Sequence, residues 1–217
     1  MVKIPLTVLM SNMRDLNGRK KQQYLDWLIA QQRPDIVIFN ETKLTSPLWL
    51  EGYYSHQTML KRSGGCITFS NLKDHRKVKA LGTYLNWTKV PLGGEEVQIL
   101  NVYLEPGLES FLGKRAETVI NLAKDIIKQD PGAKIIVGGD LNGQPNKMHT
   151  FLVLAGFTPA LRERTKTHRG GNQLDQLWTR NIAITNAIVA DPIDQVSDHG
   201  AIQVKMEAVF VQRQQTP

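Results

Sequence analysis

The chain has 217 residues, of which 41% are hydrophobic, and its formal net charge is +7 at pH 7. This length fits one domain with a sizeable core, because single α/β or sandwich domains often run to roughly 200–250 residues. No apolar run reaches the roughly 18 residues that would suggest a membrane span, and the single cysteine excludes an internal disulfide.

The first part of the chain predicts two strands around a basic helix. We expect a strand over residues 6–11, which belongs to the folded domain and not to a signal peptide because no small-residue cleavage site follows it. Hydrophobic residues at helical spacing predict a helix over residues 18–32, which Pro34 ends. The continuous apolar run over residues 35–40 is typical of a buried strand, and residues 44–62 are rich in loop-forming residues.

The rest of the chain predicts more strands than helices. Residues 65–70, 78–87 and 96–103 resemble successive strands, and Pro91-Leu92-Gly93-Gly94 indicates a hairpin turn between the last two. Cys66 lies in the first of these strands, which favours a small core residue and a reducing compartment. The remaining predicted elements are a helix over residues 112–129, a strand ending at Asp140, a short helix over residues 148–155, strands leading to Trp178 and Val189, and a strand over residues 201–211.

The order of these elements predicts the fold class. Strands outnumber helices, and the helices fall between groups of strands, which is typical of two packed sheets with helices outside. We therefore expect an α/β protein, a four-layer α/β sandwich of two mainly antiparallel sheets flanked by helices. One domain would span residues 1–211, and residues 212–217 would form a disordered tail or a linker to a downstream region.

Polar side chains stand at the ends of the apolar strands, where we expect them to meet along one edge of the sheets. These residues are Asn12, Glu41, Asp140, Asn142, Asp198 and His199. Asp140 and Asn142 are two residues apart in GGDLN, so the alternation of a strand places both on one face. A carboxylate, an amide, an imidazole and further acids that converge on one point form a metal-assisted phosphodiesterase site.

Each of these residue types has a chemical role in such a site. A hard cation such as Mg²⁺ binds one or two protein carboxylates, and Glu41 fits this role. Without the other motifs, Glu41 would be interpreted as a solvated loop residue. Asp140 can orient or deprotonate the attacking water, and Asn142 can hold that water or a phosphate oxygen. His199 can stabilise the transition state or shuttle a proton, with Asp175 in QLDQLW as the acid that orients its ring.

The positive charge indicates a polyanionic partner, with nucleic acid as the first candidate. Basic residues cluster at four places, which could line one phosphate-binding face or belong to an ordinary solvated surface. The four clusters are Arg19, Lys20 and Lys21; Lys61 and Arg62; Lys73, Arg76, Lys77 and Lys79; and Arg162, Arg164, Lys166 and Arg169.

A set of short motifs follows in order along nearly the whole chain. After the early Asn12 come NETKL, NVYLEP, GGDLN, QLDQLW and SDHGAI. Each motif is weak alone, but in this order and at these spacings they resemble the endonuclease/exonuclease/phosphatase superfamily, which has the DNase I-like fold. The resemblance implies that the chain is a metal-dependent phosphodiesterase, with Mg²⁺ as its cofactor and Mn²⁺ as a substitute.

The resemblance also implies a role for each matching residue. The metal-binding residues would be Glu41, Asn12 and Asp198. The residues that act on the phosphate and on water would be Tyr103, Asp140, Asn142, Asp175 and His199. Among these, Tyr103 would contact the scissile phosphate together with Asn142, Asp140 would activate water, and Asp175 would orient His199.

Within the superfamily, the chain most resembles the apurinic-endonuclease-like endonuclease domains of LINE-type non-LTR retrotransposons. Tyr103 in the middle motif favours the abasic-site and retrotransposon endonucleases over DNase I itself, which carries a histidine there. The segments RPDIVIFNETKL, RSGGCITF and IIVGGDLNGQP resemble the retrotransposon branch, whereas HRGGNQLD lacks the aromatic residue usual in abasic-site enzymes. Arg14 stands near the place where abasic-site enzymes often carry an aspartate.

The stretch THRGGN predicts a flexible hairpin loop near the site, because it contains two consecutive glycines. Thr167 and Asn172 match polar positions that contact phosphate in the retrotransposon branch. Arg169 could reach into a DNA groove or could stand in an ordinary turn. Together with Arg14, these residues are the candidate DNA contacts.

The resemblance implies an endonuclease that nicks one strand of double-stranded DNA and leaves a 3′-OH and a 5′-phosphate. In a retrotransposon acting in the nucleus, that 3′-OH would prime reverse transcription by a fused reverse-transcriptase region beyond Pro217. The alternatives within the fold are an abasic-site repair endonuclease and a small-molecule phosphodiesterase or phosphatase. A non-catalytic binding module is a further alternative, and the intact set of acids, amide and histidine argues against it.

Overall fold

The computed structural model describes residues 2–59, 64–105, 109–142, 146–190 and 197–210. In chain order, its helices and strands are β1 (Val2–Asn12), α1 (Arg19–Gln32), β2 (Ile36–Asn40), β3 (Tyr54–Thr58), β4 (Cys66–Ser70), β5 (Arg76–Leu81), β6 (Leu85–Leu92), β7 (Glu95–Tyr103), α2 (Glu109–Gln129), β8 (Lys134–Asp140), α3 (Asn146–Leu154), β9 (Thr158–Pro159), β10 (Asp175–Arg180), β11 (Ile182–Val189) and β12 (Ile202–Phe210). Within these residues, the strands form two six-stranded sheets, ordered β11-β12-β1-β2-β4-β3 and β5-β6-β7-β8-β10-β9. None of the described helices has the length and apolar character needed to cross a membrane.

One parallel pair of strands lies inside each sheet. β1 pairs with β2 in the first sheet and β7 with β8 in the second, while the neighbouring strands pair in antiparallel fashion. Parallel neighbours end at the same edge, so the carboxyl ends of each pair meet. β12 and β10 run antiparallel to β1 and β8, so the residues that begin them join the same edge.

Apolar side chains fill the space between the sheets and the space under the helices. The central layer holds Ile38 of the first sheet and Ile136 of the second, both completely buried. Leu25 of α1 packs on the outer face of the first sheet, and Val119 of α2 with Leu152 of α3 packs on the second. The order helix, sheet, sheet, helices confirms the predicted four-layer α/β sandwich.

Two predicted elements are wrong, and each has a local cause. Residues 78–87 do not form one strand, because Gly82 adopts a φ of +56° and reverses the chain between β5 and β6. The expected loop over residues 44–62 contains the strand β3, which pairs along its whole length with β4. The predicted domain boundary between residues 211 and 212 lies outside the described residues, as do Lys61 and Arg62.

The two glycines before Asp140 allow β8 to lie close to its neighbour β7 and to the opposite sheet. Gly139 has a φ of +146°, and a Cβ atom there would collide with the carbonyl oxygen of Val102. A Cβ atom on Gly138 would lie 3.0 Å from the sulfur of Met10 on the opposite sheet. Any larger residue at these positions would push β8 away from its neighbours and displace Asp140.

Candidate active site

Three strands of the second sheet place Tyr103, Asp140 and Asp175 in one row. Tyr103 ends β7 beside Asp140 at the end of β8, and Asp175 begins β10 directly opposite Asp140. Asp140 is 2% exposed and Asp175 is 0% exposed. Because a buried carboxylate needs hydrogen bonds or an opposite charge to stay ionised, the partners of these two acids define the chemistry of the site.

Asn12 joins the two sheets at this edge. Its Nδ2 donates to Oε2 of Glu41 at 3.1 Å and to Oδ2 of Asp140 at 2.7 Å. Its Oδ1, the atom of an asparagine that can bind a cation, accepts the backbone N–H of Arg14 at 2.8 Å. In this arrangement, Asn12 lies beside Glu41, as predicted, and holds the carboxylates of Glu41 and Asp140 together.

His199 and Asp175 form a hydrogen-bonded pair that crosses from one sheet to the other. Nδ1 of His199 lies 2.7 Å from Oδ2 of Asp175, and both side chains are buried. Because Nδ1 is engaged by the carboxylate, Nε2 is the nitrogen left for chemistry, and it lies 4.0 Å from Oδ1 of Asp198. Asp175 therefore orients His199, and oxygens or nitrogens of Asp140, Asp175 and His199 lie within 4.8 Å of one another.

Two further residues fix this geometry, and the sequence interpretation assigned neither of them a role. The hydroxyl of Ser197 donates to the carbonyl of Asn12 at 2.7 Å and accepts the N–H of His199 at 3.1 Å. Oδ1 of the buried Asn40 accepts the N–H of Asp140 at 3.2 Å, and its Nδ2 donates to Oδ1 of Asn101 at 2.6 Å. The available signal was their position inside SDHGAI and NETKL, where a polar residue ends an apolar strand or precedes the histidine.

Burial raises the pKa values of both buried acids, Asp140 and Asp175. Burial, followed by the charge of Asp175, raises the pKa of Asp140 to about 6, although the hydrogen bond from Asn12 opposes this shift. Burial also raises the pKa of Asp175. Burial alone would lower the pKa of His199, but the hydrogen bond and charge of Asp175, with the charges of Asp140 and Asp198, raise it above its usual value.

Tyr103 remains protonated in this surrounding. Burial comes first among the causes that raise the pKa of its hydroxyl far above the usual value, and the carboxylates of Glu41 and Asp140 raise it further. Tyr103 is 4% exposed. A phenol held in its neutral form can donate a hydrogen bond to an anion, which is the role predicted for this residue.

Asp198 is held by two basic side chains at the edge of the site. Its Oδ2 lies 2.9 Å from Nη1 of Arg14 and 3.4 Å from Nε2 of His168. Burial opposes ionisation, but its own backbone N–H, Arg14, His199 and His168 together hold the pKa of Asp198 below its usual value. His168 was not among the predicted site residues.

The backbone is strained around the polar cluster. Arg14, Glu41, Lys43 and Asn142 have φ values of +56°, +51°, +49° and +45°, in the left-handed region that favours glycine. Asn142 donates its N–H to Oδ1 of Asp140 at 2.9 Å and its Nδ2 to the carbonyl of Leu104 at 2.8 Å. A strained backbone conformation persists only where many surrounding contacts hold it in place, and such conformations are frequent at functional sites.

The stretch THRGGN forms a turn near the site, and its backbone is hydrogen-bonded to the neighbouring segment. The N–H of Arg169 donates to the carbonyl of Asp198, and the N–H of Gly200 donates to the carbonyl of Thr167, both at 2.8 Å. These bonds fasten the turn to the segment that carries His199.

The residues of this turn that were predicted to contact DNA differ in their exposure to solvent. Thr167 is 1% exposed, and its hydroxyl accepts the N–H groups of Leu174 and Asp175 at 3.0 Å each. Its buried position corrects the expectation of a phosphate contact, because the hydroxyl instead fixes the backbone of Asp175. The side chains of Arg169 and Asn172 are exposed at the rim, as that of Arg14 is.

The donor atoms at this edge fit a hard divalent cation. Glu41 presents a half-buried carboxylate whose Oε1 already contacts an ammonium group, Nζ of Lys43, at 2.6 Å. Among the described residues, Oδ1 of Asp175 and Oδ1 of Asp198 are buried oxygens with no hydrogen-bond partner. Carboxylate oxygens are the ligands that Mg²⁺ and Mn²⁺ prefer, so the carboxylates of Glu41 and Asp198 are the groups that would hold such an ion.

Several solved structures resemble this chain, and three of them are named as nucleases. The 3′-5′ exonuclease NExo from Neisseria meningitidis has a TM-score of 0.75 and 17% identity, with 92% of this chain and 98% of that chain covered. The endonuclease domain of TRAS1, a telomere-specific non-LTR retrotransposon, has a TM-score of 0.71 and 15% identity, with 94% and 98% covered. An AP endonuclease from Archaeoglobus fulgidus has a TM-score of 0.71 and 15% identity, with 92% and 98% covered.

At this level of identity, these structural similarities establish the fold alone. Among curated proteins, none matches the sequence. The sequence model of the Endonuclease/Exonuclease/phosphatase family does match this chain, over residues 11–199. This match includes the edge that carries Asn12, Glu41, Asp140, Asp175 and His199. The chain therefore belongs to the Endonuclease/Exonuclease/phosphatase family.

Proposed function

We propose that the chain is a Mg²⁺-dependent DNA endonuclease that hydrolyses one strand of double-stranded DNA, leaving a 3′-OH and a 5′-phosphate. The observation that carries the proposal is the position of Asp140 between the amide of Asn12, at 2.7 Å, and the buried Asp175–His199 pair. The net charge of +7 favours a polyanionic substrate. Mn²⁺ would substitute for Mg²⁺ because it accepts the same oxygen ligands.

Asp140 is the base that removes a proton from the attacking water. With a pKa of about 6, it is mostly ionised at neutral pH and still basic enough to accept that proton. The amide of Asn12 and the N–H of Asn142 fix its two oxygens, so the carboxylate does not rotate away from the water. A divalent cation bound at Glu41 would supply Lewis-acid stabilisation of the charge that develops on the phosphate.

His199 and Tyr103 are donors toward the phosphate oxygens. The raised pKa of His199 favours the imidazolium form, whose free Nε2–H can stabilise a negative oxygen or protonate the leaving one. Tyr103 keeps its phenolic proton and offers it as a neutral donor. The products are a strand with a 5′-phosphate and a strand with a 3′-OH, since water adds to phosphorus and the bond to the 3′ oxygen breaks.

The exposed side chains at the rim are candidates for contact with the flanking DNA. Arg14, Arg169 and Asn172 surround the polar edge and are exposed. Basic and polar side chains in this position contact phosphates and set the position of the duplex without reading its sequence. We further propose that the nick primes reverse transcription in the nucleus, by a fused reverse-transcriptase region of a non-LTR retrotransposon.

A panel of labelled substrates tests this proposal. It would contain an intact duplex, a duplex with one abasic site, a duplex ending in a 3′-phosphate, and a small phosphodiester. We expect cleavage of the intact duplex at internal positions, with products that a DNA polymerase extends without further processing. A strong preference for the abasic duplex would support a repair endonuclease instead, and hydrolysis of the small phosphodiester alone would overturn the assignment to DNA.

A further inference from the structure

Two completely buried asparagines lie between the sheets, behind Asp140. Asn40 ends β2 of the first sheet, and Asn101 lies in β7 of the second. Oδ1 of Asn40 accepts the backbone N–H of Asp140 at 3.2 Å, and Nδ2 of Asn40 donates to Oδ1 of Asn101 at 2.6 Å. The residue proposed as the base is therefore connected to Asn101 through a single side-chain amide.

The backbone determines which end of the Asn101 amide faces Asn40. Nδ2 of Asn101 donates to the carbonyls of Ile67 at 2.8 Å and of Phe39 at 3.2 Å, and it also contacts the hydroxyl of Thr68 at 3.3 Å. A carbonyl oxygen can only accept hydrogen bonds, so a rotated Asn101 amide would place its own oxygen against two acceptors. Oδ1 of Asn101 must consequently face Asn40.

The orientation of Asn101 in turn determines that of Asn40. Nδ2 of Asn40 donates to Oδ1 of Asn101 and, at 3.1 Å, to the carbonyl of Val102. If the amide of Asn40 rotated, its oxygen would face these two acceptors, and its NH₂ group would face the N–H of Asp140. Without Asn101, one N–H of Asn40 would keep only a weak acceptor, the sulfur of Cys66 at 3.6 Å, so its present orientation would lose support.

We propose that Asn101 is a positioning residue for Asp140. It holds the amide of Asn40 in the orientation that accepts the N–H of Asp140, and so fixes the backbone that carries the base. This inference rests on the proposed function, in which Asp140 activates water. The carboxylate of Asp140 is held separately, by Asn12 and Asn142. Asn101 therefore constrains the main chain of the base from the interior of the sandwich.

Asn101→Leu tests the inference, with Asn86→Leu as the matched control. Asn86 is also completely buried and lies directly opposite Asn101 on the neighbouring strand β6. Its Nδ2 likewise donates to two backbone carbonyls, those of His56 at 3.0 Å and Cys66 at 3.1 Å. Within the described residues, no hydrogen bond joins Asn86 to Asn40. Both variants remove a buried amide, so both should lower the free energy of unfolding.

We expect only Asn101→Leu to affect Asp140. In hydrogen exchange followed by nuclear magnetic resonance, the amide proton of Asp140 should exchange faster relative to that of Ile136, which lies in the same strand. The kcat for DNA cleavage should fall by about 10²-fold, because a small displacement of a catalytic group has an effect of this size, while KM stays near that of the parent protein. In Asn86→Leu, the exchange ratio and kcat should match those of the parent protein.

The parent protein offers a measurement that holds even if Asn101→Leu fails to fold. The side-chain NH₂ protons of Asn40 should be protected from exchange, and rapid exchange would overturn the inference. An equal fall of kcat in both variants, or an unchanged exchange ratio in Asn101→Leu, would also overturn it. A parent protein that leaves all DNA uncut would refute the proposed function, whereas the exchange measurements, made without DNA, would still decide whether Asn101 holds Asp140 in place.

Discussion

Nδ1 of His199 lies 2.7 Å from Oδ2 of Asp175, and this hydrogen bond connects the two sheets of the sandwich at the site. Asp175 begins a strand of the second sheet, and His199 precedes a strand of the first. The relative position of the sheets therefore sets the orientation of the imidazole. The bond leaves Nε2 as the free nitrogen and stabilises the imidazolium form.

The variant Asp175→Asn tests this relationship. An amide cannot stabilise the imidazolium charge, so we expect kcat to fall by about 10²–10⁴-fold. The pKa of His199, which Asp175 raises, should fall in the variant. Nuclear magnetic resonance of the His199 ring across a pH titration measures the pKa directly. An unchanged pKa of His199 would show that Asp175 does not stabilise the charged form of the imidazole. Asp125→Asn, on α2, is the control for the removal of one negative charge.

The pH dependence of cleavage tests the role of Asp140. Burial and the charge of Asp175 raise its pKa to about 6, and a base acts only when deprotonated, so the rate should increase as pH rises through about 6. Asn12 lowers the pKa of Asp140 through its hydrogen bond. In Asn12→Ala, the rise of the rate with pH should therefore occur at higher pH, and the maximal rate should be lower. Profiles of kcat/KM for both proteins provide the comparison. A rise that stays at the same pH in Asn12→Ala, or that moves to lower pH, would contradict the role of Asp140 as the base.

The site residues on strand ends could be predicted because their signal is local. In GGDLN, the strand that carries Asp140 is continuous and apolar, and its last residue is a carboxylate. The close approach of Gly139 to the carbonyl of Val102, by contrast, was found only in the structure. The four-layer sandwich followed from the same kind of information, since buried strands and amphipathic helices leave strong periodic patterns.

The residues that were placed wrongly depend on contacts distant in sequence. Thr167 sits among glycines and polar residues, which favoured an exposed loop. The carbonyl of Thr167 accepts the N–H of Gly200, and the N–H of the nearby Arg169 donates to the carbonyl of Asp198. These partners are about thirty residues away in sequence, so no local pattern indicates the burial of Thr167. The strand β3 was missed for a related reason, because its sequence YSHQT is polar and it becomes a strand through pairing with β4.

Thr167 should contribute to stability and to the position of Asp175. In Thr167→Val, the N–H groups of Leu174 and Asp175 lose their acceptor, which costs about 1–3 kcal/mol for each group that stays buried and unpaired. Thr167→Ser keeps the hydroxyl and should stay close to the parent protein. Urea unfolding measures the free energy of unfolding of all three. A loss of stability in Thr167→Ser alone would mean that the methyl group, and not the hydroxyl, is what the site needs.

Arg169 should contribute to DNA affinity without contributing to the chemical step. Its side chain is exposed at the rim, so Arg169→Gln should raise KM and reduce the slope of log K against log salt by about one. Its kcat should stay near that of the parent protein. Binding to an uncleavable duplex at several salt concentrations gives the slope, and Arg33→Gln serves as the matched control. An unchanged slope would place Arg169 outside the DNA-binding surface.

Nicking of supercoiled plasmid DNA tests most directly whether Asp140 activates water in a DNA-cleaving site. The assay would compare the parent protein with Asp140→Asn and with Asp26→Asn, which makes the same substitution at an exposed position on α1. We expect the parent protein and Asp26→Asn to nick the plasmid in Mg²⁺, chelation with EDTA to stop both, and Asp140→Asn to be slower by about 10²–10⁴-fold. Nicking by Asp140→Asn at the parent rate, or a plasmid left intact by the parent protein, would contradict the account.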